Sequence, residues 1–184
     1  MSGNQKSRLP RKTTPKSVEN AALAYLQRYA TSAENLRAVL TRKIYRAAHA
    51  HDEDPAEGIA LVDALIDRYL QAGLLNDATY AEGRVVALHR RGVSRRGIQS
   101  RLSAKGVGVD DIERVLELLS ADIGDTEFVA ACNYARRRRL GPWRIKDRAE
   151  RRDRDMAALA RQGYGYELAR RVIDAENVAA LEEE

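Results

Sequence analysis

The sequence predicts an all-α fold, and three observations favour that class. Hydrophobic residues make up 44% of the 184 residues but aromatic residues only 5%, a balance typical of packed helices rather than of a sheet. Apolar side chains recur at helical spacing, as at Leu36, Leu40 and Ile44, and such spacing places them on one face. No proline stands between Pro55 and Pro142, so long helices are permitted there.

Signals for the start and end of helices fall between the apolar stripes and predict nine helices. Three early stripes, in chain order, are Ala22, Leu23, Leu26 and Tyr29; Leu36, Val39, Leu40 and Ile44; and Leu61, Leu65, Ile66, Tyr69 and Leu70. Residues that favour a helix N-cap stand at Ser32, Asp54, Asp77, Ser94 and Asp125. Glycines that favour a helix end stand at Gly73, Gly92, Gly106 and Gly163.

An internal repeat groups the predicted helices in threes. Residues 32–43 align with residues 94–105, and a third copy follows 57 residues later, where Leu159 falls on Leu102. A repeat of this size favours three tandem three-helix modules that stack into an elongated, curved, right-handed array. Chance self-similarity among helices is the alternative. We expect a disordered basic tail, three modules and an acidic tail at 1–16, 17–75, 76–122, 123–177 and 178–184.

Several classes of protein are excluded by what the sequence lacks. No apolar run approaches the roughly 18 residues of a membrane span, and no secretory signal follows the basic residues at the N-terminus, so we expect a cytoplasmic protein. Cys132 is the single cysteine, which favours a buried small side chain. Since no phosphate-binding glycine loop or metal-ligand spacing is present, we expect no cofactor, no metal and no enzymatic activity.

Positive charge is concentrated in two clusters of the chain, whose formal net charge is +5. The first runs from Arg84 to Lys105 and contains seven basic residues and no acidic one. Its candidate binding residues are Arg90, Arg91, Arg95, Arg96, Arg101 and Lys105. Arginine suits phosphates and carboxylates because its donors form a planar fork. A merely solvated helix face is the alternative; if the cluster binds, reversing the charges of Arg95 and Arg96 weakens binding and leaves stability nearly unchanged.

The second cluster contains eleven basic and four acidic residues between Arg136 and Arg161. Its candidates are Arg136, Arg137, Arg138, Arg139, Trp143, Arg144, Lys146 and Arg148. Four consecutive arginines spread around a helix, so at least one is expected to adjoin the core or to meet a ligand. Trp143 follows Gly141 and Pro142, and its indole suits either stacking on a base or a partner pocket. Packing between modules is an equally good interpretation of Trp143.

Four segments, taken in order and spacing, resemble the RecX family of recombination regulators. They are Gly73 to Ala81, Ser94 to Gly106, Arg138 to Arg144 and Met156 to Tyr164. The resemblance covers roughly residues 17–176 and implies three three-helix modules. It further implies a regulator that binds the RecA recombinase and RecA filaments on single-stranded DNA. Such a regulator restrains filament growth, ATPase activity and strand exchange, and so moderates recombination, DNA repair and the SOS response.

Two features depart from the repeat and from shorter members of the family. Residues 47–57 lengthen the first module, and their His49 and His51 favour an exposed loop over a metal site. Asp155 occupies the apolar position that Ile98 holds in the second copy, so we expect Met156 to face inward in its place.

The main alternative function is a helix-turn-helix transcription factor whose helix from Ser94 to Lys105 lies in a DNA major groove. Such a protein dimerises on a two-fold symmetric duplex site. No apolar stripe remains for a dimer interface, so we expect a monomer that binds no membrane. We expect it to bind single-stranded DNA, with double-stranded DNA as a further candidate.

Overall fold

A computed structural model describes residues 9–181. In that range the chain forms α-helices and 3-10 turns joined by irregular backbone, and it contains no strand. The α-helices are α1 Pro15–Leu26, α2 Ala33–His51, α3 Ala56–Gln71, α4 Asp77–Arg90, α5 Arg95–Ser103, α6 Val109–Ile123, α7 Thr126–Arg138, α8 Arg148–Arg161 and α9 Tyr166–Asp174. Short 3-10 turns lie at Gly141–Trp143 and Ala179–Leu181. The prediction of an all-α fold is confirmed. Residues 1–8 of the predicted basic tail and 182–184 of the acidic tail lie outside the described residues.

The chain divides into two compact units, Met1–Tyr80 and Ala81–Glu184, and the division falls within α4. The organisation into three modules stays a prediction. Between residues 9 and 181, no helix combines the length and the apolar character needed to cross a membrane.

The first unit is built on α1, α2 and α3, whose apolar stripes meet in one core. Leu36, Leu40, Val62 and Ile66 are almost completely buried there. The Ser32 side chain caps α2 by accepting a hydrogen bond from Asn35 N. Most residues of the predicted stripes lie in or against this core, but Leu23, Tyr29 and Leu70 are exposed.

His49 and His51 lie at the end of α2 and not in the exposed loop expected from the sequence, and residues 51–53 hold the segment that precedes α1. His51 Nε2 lies 2.8 Å from the Pro10 carbonyl oxygen, and Lys12 Nζ lies 2.8 Å from Glu53 Oε1. Thr14 and Ser17 then form a reciprocal cap at the start of α1. Residues 10–14 thus make defined contacts, although the sequence placed them in a disordered tail. Among residues 9–181, which include His49 and His51, no group of three or more histidine, cysteine or acidic side chains is arranged to hold a metal ion.

The second unit has its largest core among α7, α8 and α9. Leu159, Val172 and Ile173 are buried in it, and Leu102, Val115 and Leu116 are buried at the positions that the repeat aligns with them. Cys132 packs against this core and is partly buried.

Asp155 corrects the expectation that Met156 takes its place on the inner face of α8. Both residues are buried, and Asp155 is only 2% exposed. Arg144 donates to both carboxylate oxygens, from Nε at 3.0 Å and from Nη2 at 2.6 Å, and Gly141 N donates at 3.0 Å. The hydrogen bonds from Arg144 to Asp155 raise the pKa of the Arg144 guanidinium. The other two copies have an apolar side chain at this position. A carboxylate can be buried here because three hydrogen bonds compensate for its loss of contact with water.

Candidate functional site

Four arginines from the two predicted clusters line one concavity of the second unit. We call it the arginine groove, and its volume is about 570 Å³. Its lining residues are Leu88, Arg91, Val93, Arg101, Tyr134, Arg137, Arg138 and Gln162. None of these eight carries a carboxylate, so the groove has four positive charges and no negative one.

The turn between α4 and α5 places Arg91 in the groove. Gly92 has φ +69°, and Val93 N donates to Leu88 O at 3.1 Å, which closes the end of α4. A Cβ on Gly92 would lie 2.3 Å from Tyr134 N and 2.6 Å from Ala130 O. Only glycine lets this turn lie against the backbone of α7, and that contact brings the two clusters together.

Buried polar contacts fix the same turn to the neighbouring helices. Ser94 Oγ accepts a hydrogen bond from Gly97 N at 3.1 Å and donates to Gln162 O, the C-cap of α8, at 2.6 Å. His89, 4% exposed, contacts Thr126 O through Nε2 at 2.8 Å. The groove walls are therefore held before any ligand arrives, which lowers the entropy cost of binding.

The four consecutive arginines of α7 have different surroundings. Arg137 and Arg138 line the arginine groove, and the Arg137 guanidinium carbon lies 5.8 Å from the centre of the buried Tyr134 ring. Arg136 lines a separate hollow of about 200 Å³ beside Trp143. Arg139 takes the left-handed conformation that ends α7. All four arginine side chains are exposed, and two of them line the groove.

The groove suits a ligand that carries several negative charges. Each guanidinium offers a planar set of donors that matches phosphate or carboxylate oxygens, and a concave arrangement concentrates the positive potential. Tyr134 is the aromatic residue of the groove lining, but its side chain is mostly buried and the Arg137 guanidinium lies over its ring. The ring therefore has little free surface on which a base could stack. The geometry favours backbone phosphates or acidic protein side chains over base recognition.

Arg95 is tied to the fold, although the sequence around it contains no acidic residue. Its backbone N donates to a Glu127 carboxylate oxygen, and its guanidinium pairs with Glu113, which also accepts from the side chain of Gln99. A charge reversal at Arg95 is therefore expected to cost some stability, in contrast to the expectation from the sequence. Helices distant in sequence supply the carboxylates that the local stretch lacks.

Glu113 links this ion pair to pH. Hydrogen bonds from Gln99 and then from Arg95 lower the pKa of Glu113, so its stabilising contribution is fully present above the unfolded value near 4.3. It is lost as the pH falls through the lower folded value. We expect Glu113→Gln to reduce the melting temperature at pH 7, and the gap from the parent protein to narrow below about pH 4.

Thermal melts from pH 3 to 7 check this expectation. Glu117→Gln, which changes an exposed carboxylate of the same helix, serves as the control and is expected to melt like the parent protein throughout. A gap for Glu113→Gln that stays constant across this range would contradict the role assigned to the carboxylate.

Three other residues predicted to bind a ligand instead make contacts within the fold. Arg144 pairs with the buried Asp155. Arg148 donates from Nη1 to Glu176 O at 2.9 Å and from Nη2 to Ile173 O at 3.0 Å, and so caps the end of α9. Trp143 is half-buried and packs against the core of α7 to α9. This packing lies within one core, so it supports neither the packing between modules nor the free stacking surface considered from the sequence.

The remaining predicted residues are exposed but lie outside the lining of the groove. They are Arg90, Arg96, Lys105 and Lys146. Sequence reasoning also missed lining residues, namely Leu88, Val93, Tyr134 and Gln162. Tyr134 stands three residues before Arg137, a spacing that places both side chains on the same helix face. That spacing could have indicated from the sequence that Tyr134 lines the groove.

Comparison with known proteins gives one consistent family. A family model described as RecX, second three-helix domain, matches residues 76–116, which comprise α4, α5 and the first half of α6. The chain is 39% identical over 167 residues to the Regulatory protein RecX of Myxococcus xanthus (strain DK1622), covering 90% of this chain and 88% of that protein. It is 32% identical to the Regulatory protein RecX of Thermobifida fusca (strain YX), with coverage of 89% and 85%. No solved structure matches the chain significantly.

Proposed function

Because the chain belongs to the RecX family of regulatory proteins, we propose that it is a non-catalytic regulator of the RecA recombinase. It binds RecA and RecA filaments on single-stranded DNA, and it mainly inhibits filament growth, ATP hydrolysis and strand exchange. In the cytoplasm it thereby moderates recombination, DNA repair and the SOS response. The observation that carries the proposal is the arginine groove, which joins both basic clusters in one concave surface without a carboxylate.

The surroundings of α5 favour this function over a helix-turn-helix transcription factor. A recognition helix reads base edges with the residues of its N-terminal turn. In this chain that turn is packed, because Ser94 bonds to Gln162 O and Arg95 N bonds to Glu127. Phosphate contact through Arg91 and Arg101 remains compatible with this packing, since both side chains are exposed. A sequence-independent contact with a nucleoprotein surface therefore fits the site better.

The test compares two variants that each lose four positive charges. The groove variant carries Arg91→Ala, Arg101→Ala, Arg137→Ala and Arg138→Ala. The control carries Arg28→Ala, Arg42→Ala, Arg154→Ala and Arg161→Ala, which change exposed arginines outside the groove lining. Binding is measured by fluorescence anisotropy on RecA-coated labelled oligonucleotide, and inhibition by the rate of RecA ATP hydrolysis.

We expect the groove variant to bind at least tenfold more weakly and the control to change much less. If the groove contacts phosphates, the slope of log affinity against log salt falls by about 2 to 3, since each lost contact on a single strand accounts for roughly 0.7. Equal effects of the two variants would refute the assignment of the groove. A parent protein that leaves filament assembly and ATP hydrolysis unchanged at saturation would refute the proposed function.

A further inference from the structure

The first unit contains a concavity of its own, which we call the rimmed pocket. Its volume is about 480 Å³, within the range of roughly 300 to 1,000 Å³ that is usual for ligand sites. The segment before α1, α1 itself and α2 form its walls. Its floor is aliphatic and consists of Val18, Ala21, Leu40, Ile44 and Ala47.

The rim of the pocket is positively charged. Arg11, Lys43 and Arg46 line it, and no lining residue carries a carboxylate. All three side chains are exposed. Among the described residues, Arg11 and Lys43 form no ion pair, whereas the neighbouring Lys12 pairs with Glu53. An aliphatic floor beneath uncompensated cations complements a ligand that is both apolar and acidic.

One wall of the pocket is fixed by contacts described above. Pro10 O is bound to His51, and Lys12 is bound to Glu53, on either side of Arg11. Close packing holds the next residues, because a Cβ on Gly58 would lie 3.0 Å from Thr13 Cγ2 and 2.5 Å from Ile44 Cγ2. The wall is therefore in place before binding, which reduces the ordering cost that a ligand must offset.

We infer that the rimmed pocket binds a peptide segment of a partner protein in which large apolar side chains are flanked by carboxylates. An amphipathic segment laid in an apolar groove is a recurring mode of peptide recognition. A nucleic acid fits less well, because the lining contains no aromatic ring on which a base can stack. This site lies in the first unit and is separate from the arginine groove, so it adds a protein contact to the proposed regulator.

The probe is a fluorescent twelve-residue peptide that alternates aspartate or glutamate with leucine. Two control peptides replace its carboxylates by amides or its leucines by serines. Each is titrated with the full-length protein and with the variant Lys43→Glu and Arg46→Glu. Arg28→Glu with Arg42→Glu, exposed and outside the pocket lining, is the charge-matched control. Melting curves verify that every variant is folded.

We expect the acidic leucine peptide to bind at least tenfold more tightly than either control peptide, and binding to weaken as salt rises. The pocket variant should lose at least tenfold in affinity, while the matched control loses less than threefold. Ala21→Phe, which fills the floor without changing charge, should also abolish binding. The inference is overturned if both charge variants lose affinity equally, if the amide peptide binds as well as the acidic one, or if a single-stranded oligonucleotide displaces the peptide. These outcomes leave the groove experiment untouched, because the two tests change different residues.

Discussion

Gly92→Ala is expected to destabilise the second unit by about 3 to 5 kcal/mol, at the upper end of single substitutions. The left-handed backbone at this residue costs an alanine roughly 1 to 2 kcal/mol. The larger cost is steric, because the new methyl group would lie 2.3 Å from Tyr134 N and 2.6 Å from Ala130 O. Both are backbone atoms of α7, so no side-chain rotation relieves the contact, and the turn has to move away from α7.

Hydrogen exchange and denaturant unfolding check this prediction. Amides of α5 and α7 should lose protection, and binding at the arginine groove should weaken because Arg91 moves away from the arginines of α7 that line the same groove. Gly73→Ala is a matched control: Gly73 has nearly the same φ, +70°, but a Cβ there meets no atom within 4 Å. Gly73→Ala should therefore lose only the roughly 1 to 2 kcal/mol of unfolding free energy that comes from the left-handed backbone. Equal losses for the two variants would show that close packing at Gly92 is unimportant.

Arg144→Met is expected to cost about 3 to 5 kcal/mol, because it leaves the buried carboxylate of Asp155 without its cation. Gly141 N alone then remains as a donor. Asp155→Leu should also lower the free energy of unfolding, because it leaves the Arg144 guanidinium without its carboxylate. The loss should be smaller, since the Arg144 side chain is 25% exposed and can contact water.

The double variant with Arg144→Met and Asp155→Leu is the informative control. Leucine resembles the apolar side chains that the repeat places at this position, Leu36 and Ile98, which are both almost completely buried. Replacing a whole buried ion pair by apolar residues is often neutral or stabilising. Urea unfolding of the parent, single and double variants gives the coupling energy. Additive losses in the double variant would contradict a mutual interaction between these two residues.

Local features of the sequence predicted much of the fold. Ser32, Ser94 and Asp125 act as N-caps, accepting hydrogen bonds from Asn35 N, Gly97 N and Phe128 N as the capping rule requires. The four glycines expected at helix ends, Gly73, Gly92, Gly106 and Gly163, all have positive φ. Asp77 differs, because Asn76 caps α4 through its contact with Thr79 N, and the Asp77 carboxylate accepts from Ala33 N.

The candidate site was harder to predict because its contacts join residues far apart in sequence. Arg91 and Arg101 share a groove with Arg137 and Arg138 only through tertiary packing, and the sequence indicates which residues are basic but not which face each other. Arg95 shows the same limit, since its partner Glu113 lies on α6. Asp155 was a signal that could have been used, because an acid in an apolar repeat position requires a buried donor. The sequence does not single out Arg144 as that donor, since several other arginines lie closer to Asp155.

The arginine groove exists only in the folded chain, because its two halves come from segments more than thirty residues apart. A ligand that occupies it selects the native state and leaves the unfolded chain unbound. By mass action, such a ligand shifts the folding equilibrium in favour of the native protein by RT ln(1 + [L]/Kd). If the groove binds the proposed partner, the abundance of that partner and the lifetime of this protein are coupled. A cell rich in the partner would retain more of the folded protein, and a cell without it would expose more of the chain to proteolysis.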